Sequence, residues 1–478
     1  VSDSRVLKNN QFQGMGQFYN TLRMKGHILR TSALWGMGLI LALLSVSLVA
    51  LFTRFACTQV RFAKTYGGTS DDFARFVQQT SDGGYIVVGE TNSFGEFELD
   101  IFLIKTDAKG NIQWAKTYEV MDFEYASYVQ QTSDGGYIVA GLTTHFRGNL
   151  DILLIKTDAN GNIIWAKTYE GTDYDYVSSV QQTSDGGYIL AGYTGSFGAG
   201  ESDIFLIKTE AKGNIQWAKT YGGTSYDYAF SVQQTSDGGY IVAGLTRSFG
   251  AVGDDIFLIK TDAKGNIQWA KTYGEKGSER ASSVRQTSDG GYILAGYTDS
   301  FGAGEGDIFL IKTDANGNII WAKTYGGEFD DKAFSVQQTS DGGYIVAGYT
   351  GSFGDGDWNI FLIKTDAKGN IQWAKTYGEA DTIDREAYSV QQTSDGGYIL
   401  AGTTISFGAG ERDIFLIKTD ARGNIVSCSI VQDASPIVNN APFGVTSLSP
   451  SVSSPSFTVN SVSPTVKSLN PTVSAPCP

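Results

Sequence analysis

The sequence predicts an all-β chain dominated by a seven-bladed β-propeller, and three observations carry that expectation. The motif SDGGYI begins at Ser81, Ser133, Ser184, Ser236, Ser288, Ser340 and Ser394, at spacings of 52, 51, 52, 52, 52 and 54 residues. One unit is therefore repeated seven times, and a period near fifty residues belongs to propellers and arrays. Within each unit, four short runs of β-branched and aromatic residues alternate with glycine-rich turns. The composition agrees: 59 Gly, 25 Tyr and 27 Phe, against only 8 Pro, suit many short strands joined tightly.

The elements follow in order along one unit, Tyr228 to Gly274. YAFSVQQTS reads as the first strand, and SDGG as a turn whose paired glycines tolerate positive φ. YIVAGLT is the second strand and RSFGAVGD a longer loop. DIFLIKTD is the third strand, AKGN a second tight turn, and IQWAKTYG the fourth strand. The apolar IFLI core suits a sheet covered on both faces, as in stacked blades. Both end copies keep their apolar strands, whereas an open solenoid needs polar caps. The first copy opens with RFAKTYGG (residues 61–68), a fourth strand without its preceding three, and the last copy stops at GNIVSCS. The N-terminal strand is thus expected to complete the last blade and close the ring. Trp114, Trp165, Trp217, Trp269, Trp321 and Trp373 recur at one place in successive fourth strands, which points to packing between blades.

The combined repeat WAKTYGG, SVQQTSDGGYIVAG, SFGAG and DIFLIKTDANGNI resembles the propeller repeat of secreted prokaryotic proteins, many from thermophiles. The resemblance runs from Arg61 to about Ser429. It is similar to WD-repeat and kelch propellers in layout only. What it implies is a fold and an address outside the cell, and no reaction.

Outside residues 61–429 the composition changes. Residues 1–32 form a basic segment, with Arg23, Lys25, His27 and Arg30 shortly before an apolar run. That run, residues 33–52, is about as long as a helix crossing a hydrocarbon core of ~30 Å, so it reads as a signal peptide or a transmembrane anchor. The preceding positive charge would leave the N-terminus inside and send the repeats across the membrane. Residues 434–478 are rich in Ser, Thr, Pro and Val, with Pro every seven to nine residues over much of the stretch. Such a tail is expected to be extended or disordered: a stalk, a glycosylated spacer, or strands that add to a neighbouring propeller. Cys57 and Cys428 flank the closing seam, and in an exported protein a disulfide between them would lock it. Two separately used thiols are the alternative. Cys477 is free to serve as an intermolecular link.

Function is constrained mainly by exclusion. A formal charge of −14 argues against a nucleic-acid partner. The three cysteines lack zinc spacing, and the only histidines are His27 and His145. TDANGN (Thr313–Asn318) has Ile319 and Tyr325 where a calcium loop starting at Asp314 needs Gly and Glu, so it is a hairpin turn. No cofactor is expected. Catalysis needs unlike groups side by side, which seven near-copies make hard to build.

The turns SDGG and A-K/N/R-G-N are nearly invariant, whereas the blade crossings and second–third loops vary, and both of these belong to one face. That face is the candidate binding face. On it Asp72, Glu124, Asp175, Asp227, Glu279 and Asp331 recur at one position, with Asp384 nearby in the seventh copy. They suit either a cation-binding ring or acceptors for their own crossings. Trp358 breaks the tryptophan period and lies in a variable loop, so it is the candidate contact residue. The expected function is a non-enzymatic extracellular or surface protein with structural or interaction duties, a filament subunit among them. Its partners would be protein, through self-association or other surface proteins, or glycan, with a membrane contact through residues 33–52 if they are retained. An adhesin or lectin-like module is the alternative, and a hydrolase or lyase the third.

Overall fold

The computed structural model describes residues 60–477, apart from stretches at 96–98, 121–122, 146–147, 355–357, 379–385, 426–427, 442–443, 449–450, 454–457, 463–464 and 469–471. The basic segment, the apolar run at 33–52, Cys57 and Asp384 lie outside the described residues. Among the described residues no helix is long and apolar enough to cross a membrane.

Seven antiparallel sheets make up the ring. In the first blade the inner strand Asp72–Gln79 pairs with Tyr85–Thr91, then Asp100–Thr106, then Ile112–Glu119. The other inner strands are Glu124–Gln131, Asp175–Gln182, Asp227–Gln234, Glu279–Gln286, Asp331–Gln338 and Ala387–Gln392. Each lies beside the next, and the seventh lies beside the first. Phe62–Gly67 pairs with Asp413–Thr419, with Lys64 opposite Leu416, and so supplies the fourth strand of the last blade. The closing strand read from RFAKTYGG is in place.

Apolar residues collect between blades, because each sheet is covered on both sides. Ile204, Leu206 and Tyr221 of the third blade, for example, pack with Val232, Tyr240 and Phe257 of the fourth, all at most 2% exposed. Polar groups are matched at the same junctions, as burial demands. The hydroxyls of Tyr66, Tyr118, Tyr169, Tyr221, Tyr273, Tyr325 and Tyr377 each donate to a glycine carbonyl of the following blade, at 2.7 Å in every case. The recurring tryptophans meet a tyrosine of the next blade edge-to-face, as Trp217 does with Tyr240 at 5.9 Å. Phe62 takes this role at the seam, 6.1 Å from Tyr85. The approach is close enough to require glycine. Gly265 has φ +73°, and a Cβ there would lie 2.8 Å from the Trp217 ring.

Glutamines brace the inner ring. The backbone N–H of Gln131, Gln182, Gln234, Gln286, Gln392 and Gln79 each donates at 2.6 Å to the side chain of a glutamine in the preceding blade. Inside each blade a buried lysine of the third strand pairs with the aspartate of SDGG, as Lys208 does with Asp185 at 2.9 Å.

The tail differs from the stalk or spacer expected of its composition. It circles the ring against blade order and adds a fifth strand to every sheet. Val431–Asp433 pairs with the sixth blade, Ile437–Asn440 with the fifth, Gly444–Ser447 with the fourth and Ser451–Ser453 with the third. Thr458–Val462, Thr465–Ser468 and Thr472–Cys477 then reach the second, first and seventh. From Ile437 onward a strand begins every seven residues, so one blade-to-blade step spans at most about 25 Å of chain. Pro436 stands immediately before the strand Ile437–Asn440, where a missing N–H costs no ladder bond. The physical gain is clear: without the tail, seven outer strands would present unpaired N–H and C=O groups to other chains.

Two outcomes are expected. Tyr221→Phe, which deletes one junction hydrogen bond and leaves Gly265 O buried, should lower unfolding free energy by about 1 kcal/mol in denaturant titration. A chain ending at Ile430 should retain its β-sheet circular dichroism but self-associate in light scattering, whereas the full chain should not.

Candidate functional site

The inner strands hold the side chains that line the central channel. Each strand bulges after its alanine or valine, with a register shift between Ala74 and Phe76 in the first blade, between Val177 and Ser179 in the third and between Ala387 and Ser389 in the seventh. A bulge turns two consecutive residues toward the same side. The channel therefore receives Arg75 with Phe76, Ser127 with Tyr128, and Ser178 with Ser179. A cavity of about 380 Å³ opens there, with Tyr176, Phe230, Arg280, Phe334 and Tyr388 also in its wall. A second, of about 150 Å³, lies at the glutamine level, and Phe76, Tyr128, Arg285 and Ser335 line both.

The wall is aromatic and cationic in an acidic protein. Phe76 and Tyr128 have ring centroids 3.8 Å apart. Tyr193 lies between Tyr176 and Tyr228, at 5.0 and 4.2 Å. Lys332 stands 4.6 Å over the Tyr297 ring, and Arg75 stands 5.1 Å over that of Tyr388. Most of these cations have acid partners. Arg75 donates through Nε to both oxygens of buried Glu90 at 3.0 Å. Arg280 pairs with buried Asp254 at 2.6 Å, and Asp254 also holds Arg247. Trp358 joins this aromatic collar by stacking on Tyr349 at 4.4 Å, and Tyr349 in turn packs against Phe334.

The recurring acids sit at the starts of the inner strands. Asp72, Glu124, Asp175, Asp227, Glu279 and Asp331 have no exposed surface. Asp72 accepts from Gly68 N and Ser93 Oγ, both at 2.7 Å. Asp227 and Asp331 accept from the equivalent Gly and Ser, and Glu279 from Glu275 N and Thr298 Oγ1. Asp175 binds Thr194 and Ser196, and Glu124 accepts from Thr143 at 3.1 Å. A second acid, from the preceding blade, faces several of them. A Cβ on Gly222 would fall 1.9 Å from Asp203 Oδ1 and 2.7 Å from Asp227 Oδ2, so only glycine passes between the two carboxyls. Burial pushes Asp72, Asp175, Asp255 and Asp331 up to about 6. Among the described residues no His, Cys, Asp and Glu side chains group as a set of metal ligands. Cys428 is disulfide-bonded, and Cys57, its expected partner, lies outside the described residues.

Reading the loops alone placed all variation among the copies on one face, and the channel wall corrects this. One residue past the recurring acid stand Phe73, Tyr125, Tyr176, Tyr228, Arg280 and Lys332 at one level. At the next are Arg75, Ser127, Ser178, Phe230, Ser282, Phe334 and Tyr388, and then Phe76 and Tyr128 opposite five serines. The signal was present in the sequence: substitutions inside strands that are otherwise copied. Only the bulge shows that these positions share the channel.

The chain is a closed propeller with a repeated frame and a varied, aromatic and cationic channel. Residues 100–342, half of the chain, match the holdfast attachment protein D family, and the chain belongs to that family. This membership associates it with the cell surface. A regulatory protein, FlaEY of Caulobacter vibrioides, is 26% identical over 225 residues, covering 40% of this chain. The match takes in 23% of that relative's own length. Among solved structures, the WD40 propeller domain of Doa1 has a TM-score of 0.48 at 12% identity, covering 75% of this chain and 96% of that one. Sqt1 of Chaetomium thermophilum, crystallised with the N-terminus of ribosomal protein L10, has 0.40 at 9%, covering 74% and 98%.

The buried acids set a pH dependence. Folded-state values near 6 for Asp72, Asp175, Asp255 and Asp331 exceed the unfolded 3.8, so the folded chain holds more protons between those limits. Stability from these groups should rise as pH falls from 7 toward 4. Asp237 behaves oppositely: burial raises it, but hydrogen bonds from Lys260 and Thr235 outweigh this and bring it down to about 2. Its contribution is lost below 3.8. Thermal melts should therefore peak between about pH 4 and 5, and a melting temperature that climbs steadily to pH 8 would contradict this account.

Proposed function

We propose that this chain is an exported, non-enzymatic attachment protein of the cell surface, a closed ring that holds its partner at the crossing-face mouth of the channel. The observation that carries this reading is the division of labour among the copies. Residues that make the blade junctions are the same in nearly every unit, and those lining the channel and its mouth are not. Loop and channel residues on a rigid frame are where recognition concentrates. Trp358 and the collar around it form the contact surface in this reading. The buried acids at Asp72 and its counterparts shape that mouth from beneath. Family membership supports attachment, and the apolar run at 33–52 supports export, as a cleaved signal or a retained anchor. A Cys57–Cys428 bond would then lock the seam outside the cell.

A filament remains a second reading, favoured by one observation: the tail pairs with the blades through seven short strands, the kind of pairing that copies can exchange. The test is made on cells. Deleting the gene for this chain should abolish or reduce surface attachment at least about tenfold, and the full-length chain should restore it, whereas Trp358→Ala together with Tyr349→Ala should restore it poorly at equal surface abundance. Electron cryomicroscopy of material sheared from the same cells separates the readings. Single rings support the attachment reading, and ordered polymers with tails on neighbouring rings support the filament.

A further inference from the structure

We infer that the channel holds a site for a carboxylate-bearing sugar, with Arg285 receiving the carboxylate. Arg285 stands at the level where the other six inner strands carry Gln78, Gln130, Gln181, Gln233, Gln337 and Gln391. Those glutamines brace neighbouring blades, so the exchange to arginine gives up a place in the ring's own bonding. Its guanidinium donates to Val284 O at 3.1 Å and toward Ser231 Oγ at 3.5 Å. Among the described residues no acid forms an ion pair with it, whereas Arg75 and Arg280 in the same wall are matched by Glu90 and Asp254. Arg285 is thus a half-buried cation, facing both cavities, whose charge the chain leaves available. A guanidinium in such a place suits the planar, two-oxygen geometry of a carboxylate.

The remaining wall selects a sugar over an acidic peptide. The larger cavity is lined by aromatic rings, arginines and serine hydroxyls, and its only aliphatic side chain is Ala126. Aromatic faces at Phe76 and Tyr128 match the flat C–H face of a pyranose, and the serine hydroxyls can both donate and accept against its hydroxyl groups. A volume of about 380 Å³, continuing toward a further 150 Å³, accommodates a short oligosaccharide. The asymmetry is local as well: Phe76 and Tyr128 are the two aromatics at a level where the other five blades carry serine.

This inference rests on the channel being the binding site of the attachment reading, and the two fail separately. The full chain in detergent is titrated by calorimetry with trigalacturonate and with its neutral methyl ester. The acid should bind about tenfold more tightly than the ester, as a charge-assisted bidentate contact requires. Arg285→Gln installs the residue of the other six blades, so the fold is kept. It should remove the preference while the melting temperature holds or rises. Tyr128→Ser, again a residue that other blades carry there, should weaken both ligands alike. No binding of trigalacturonate by the unaltered chain overturns the site, as does an acid-to-ester ratio unchanged in Arg285→Gln. Tighter binding of a glutamate-rich peptide than of trigalacturonate overturns the sugar assignment. Loss of sugar binding in Arg285→Gln with cell attachment intact would leave the site standing and overturn the channel's part in attachment.

Discussion

At each of seven blade junctions a buried tyrosine hydroxyl donates to a glycine carbonyl of the next blade, and the bond that begins at Tyr66 makes the series cyclic. Tyr66 belongs to the strand Phe62–Gly67, which comes from the opposite end of the array to the three strands it joins. The rest of the structure depends on that closure. A single blade cannot bury IFLI on both faces, and an open row of seven would leave two such faces in water. Closing the ring converts both ends into one more interior junction, with Phe62 standing in for the tryptophan found at the other six.

Closure also explains which residues are free to differ. Residues that meet a neighbouring blade are copied with few exceptions: the tyrosine, the tryptophan, the glycine that admits the ring and the glutamines; so is the Lys–Asp pair inside each blade. The channel-facing side of the bulged inner strand meets no neighbour in the same way, so it tolerates Phe, Tyr, Ser, Arg and Lys in turn. The acids at the strand starts belong to the first group. The sequence left them as either a cation-binding ring or acceptors for their own crossings, and in the structure each is buried and engaged by hydroxyl or N–H donors. The cost of enclosing two carboxyls around Gly222 and its counterparts is met by holding protons more tightly.

The tail is the clearest case of a structure hidden by composition. Ser, Thr, Pro and Val describe a segment too poor in large apolar residues to form a core of its own. It has no need of one, because its bonds are made through the backbone to strands already in place. The seven-residue period of strands is written in the valines Val431, Val438, Val445, Val452, Val459, Val466 and Val473, a signal that the looser recurrence of proline obscured. Which edges those strands would find, its own blades or another copy's, is a question of distance and direction that local pattern does not contain. Cover of every outer edge follows from the tail's length matching one circuit of the ring.

The sequence by itself determined the all-β class, the number of blades, the four strands of each, the tight turns and the N-terminal strand at the seam. It could do so because hydrophobic period, turn glycines and repeat length are local properties, copied seven times over. Tertiary structure alone decided that the acids are buried, that Trp358 stacks on Tyr349, that Arg285 stands in a shared channel, and that the tail is a belt. The shared channel and the belt arise where residues from different blades, fifty to several hundred positions apart, are brought together. That proximity is a product of closing the ring, and it exists nowhere along the chain before the ring is closed.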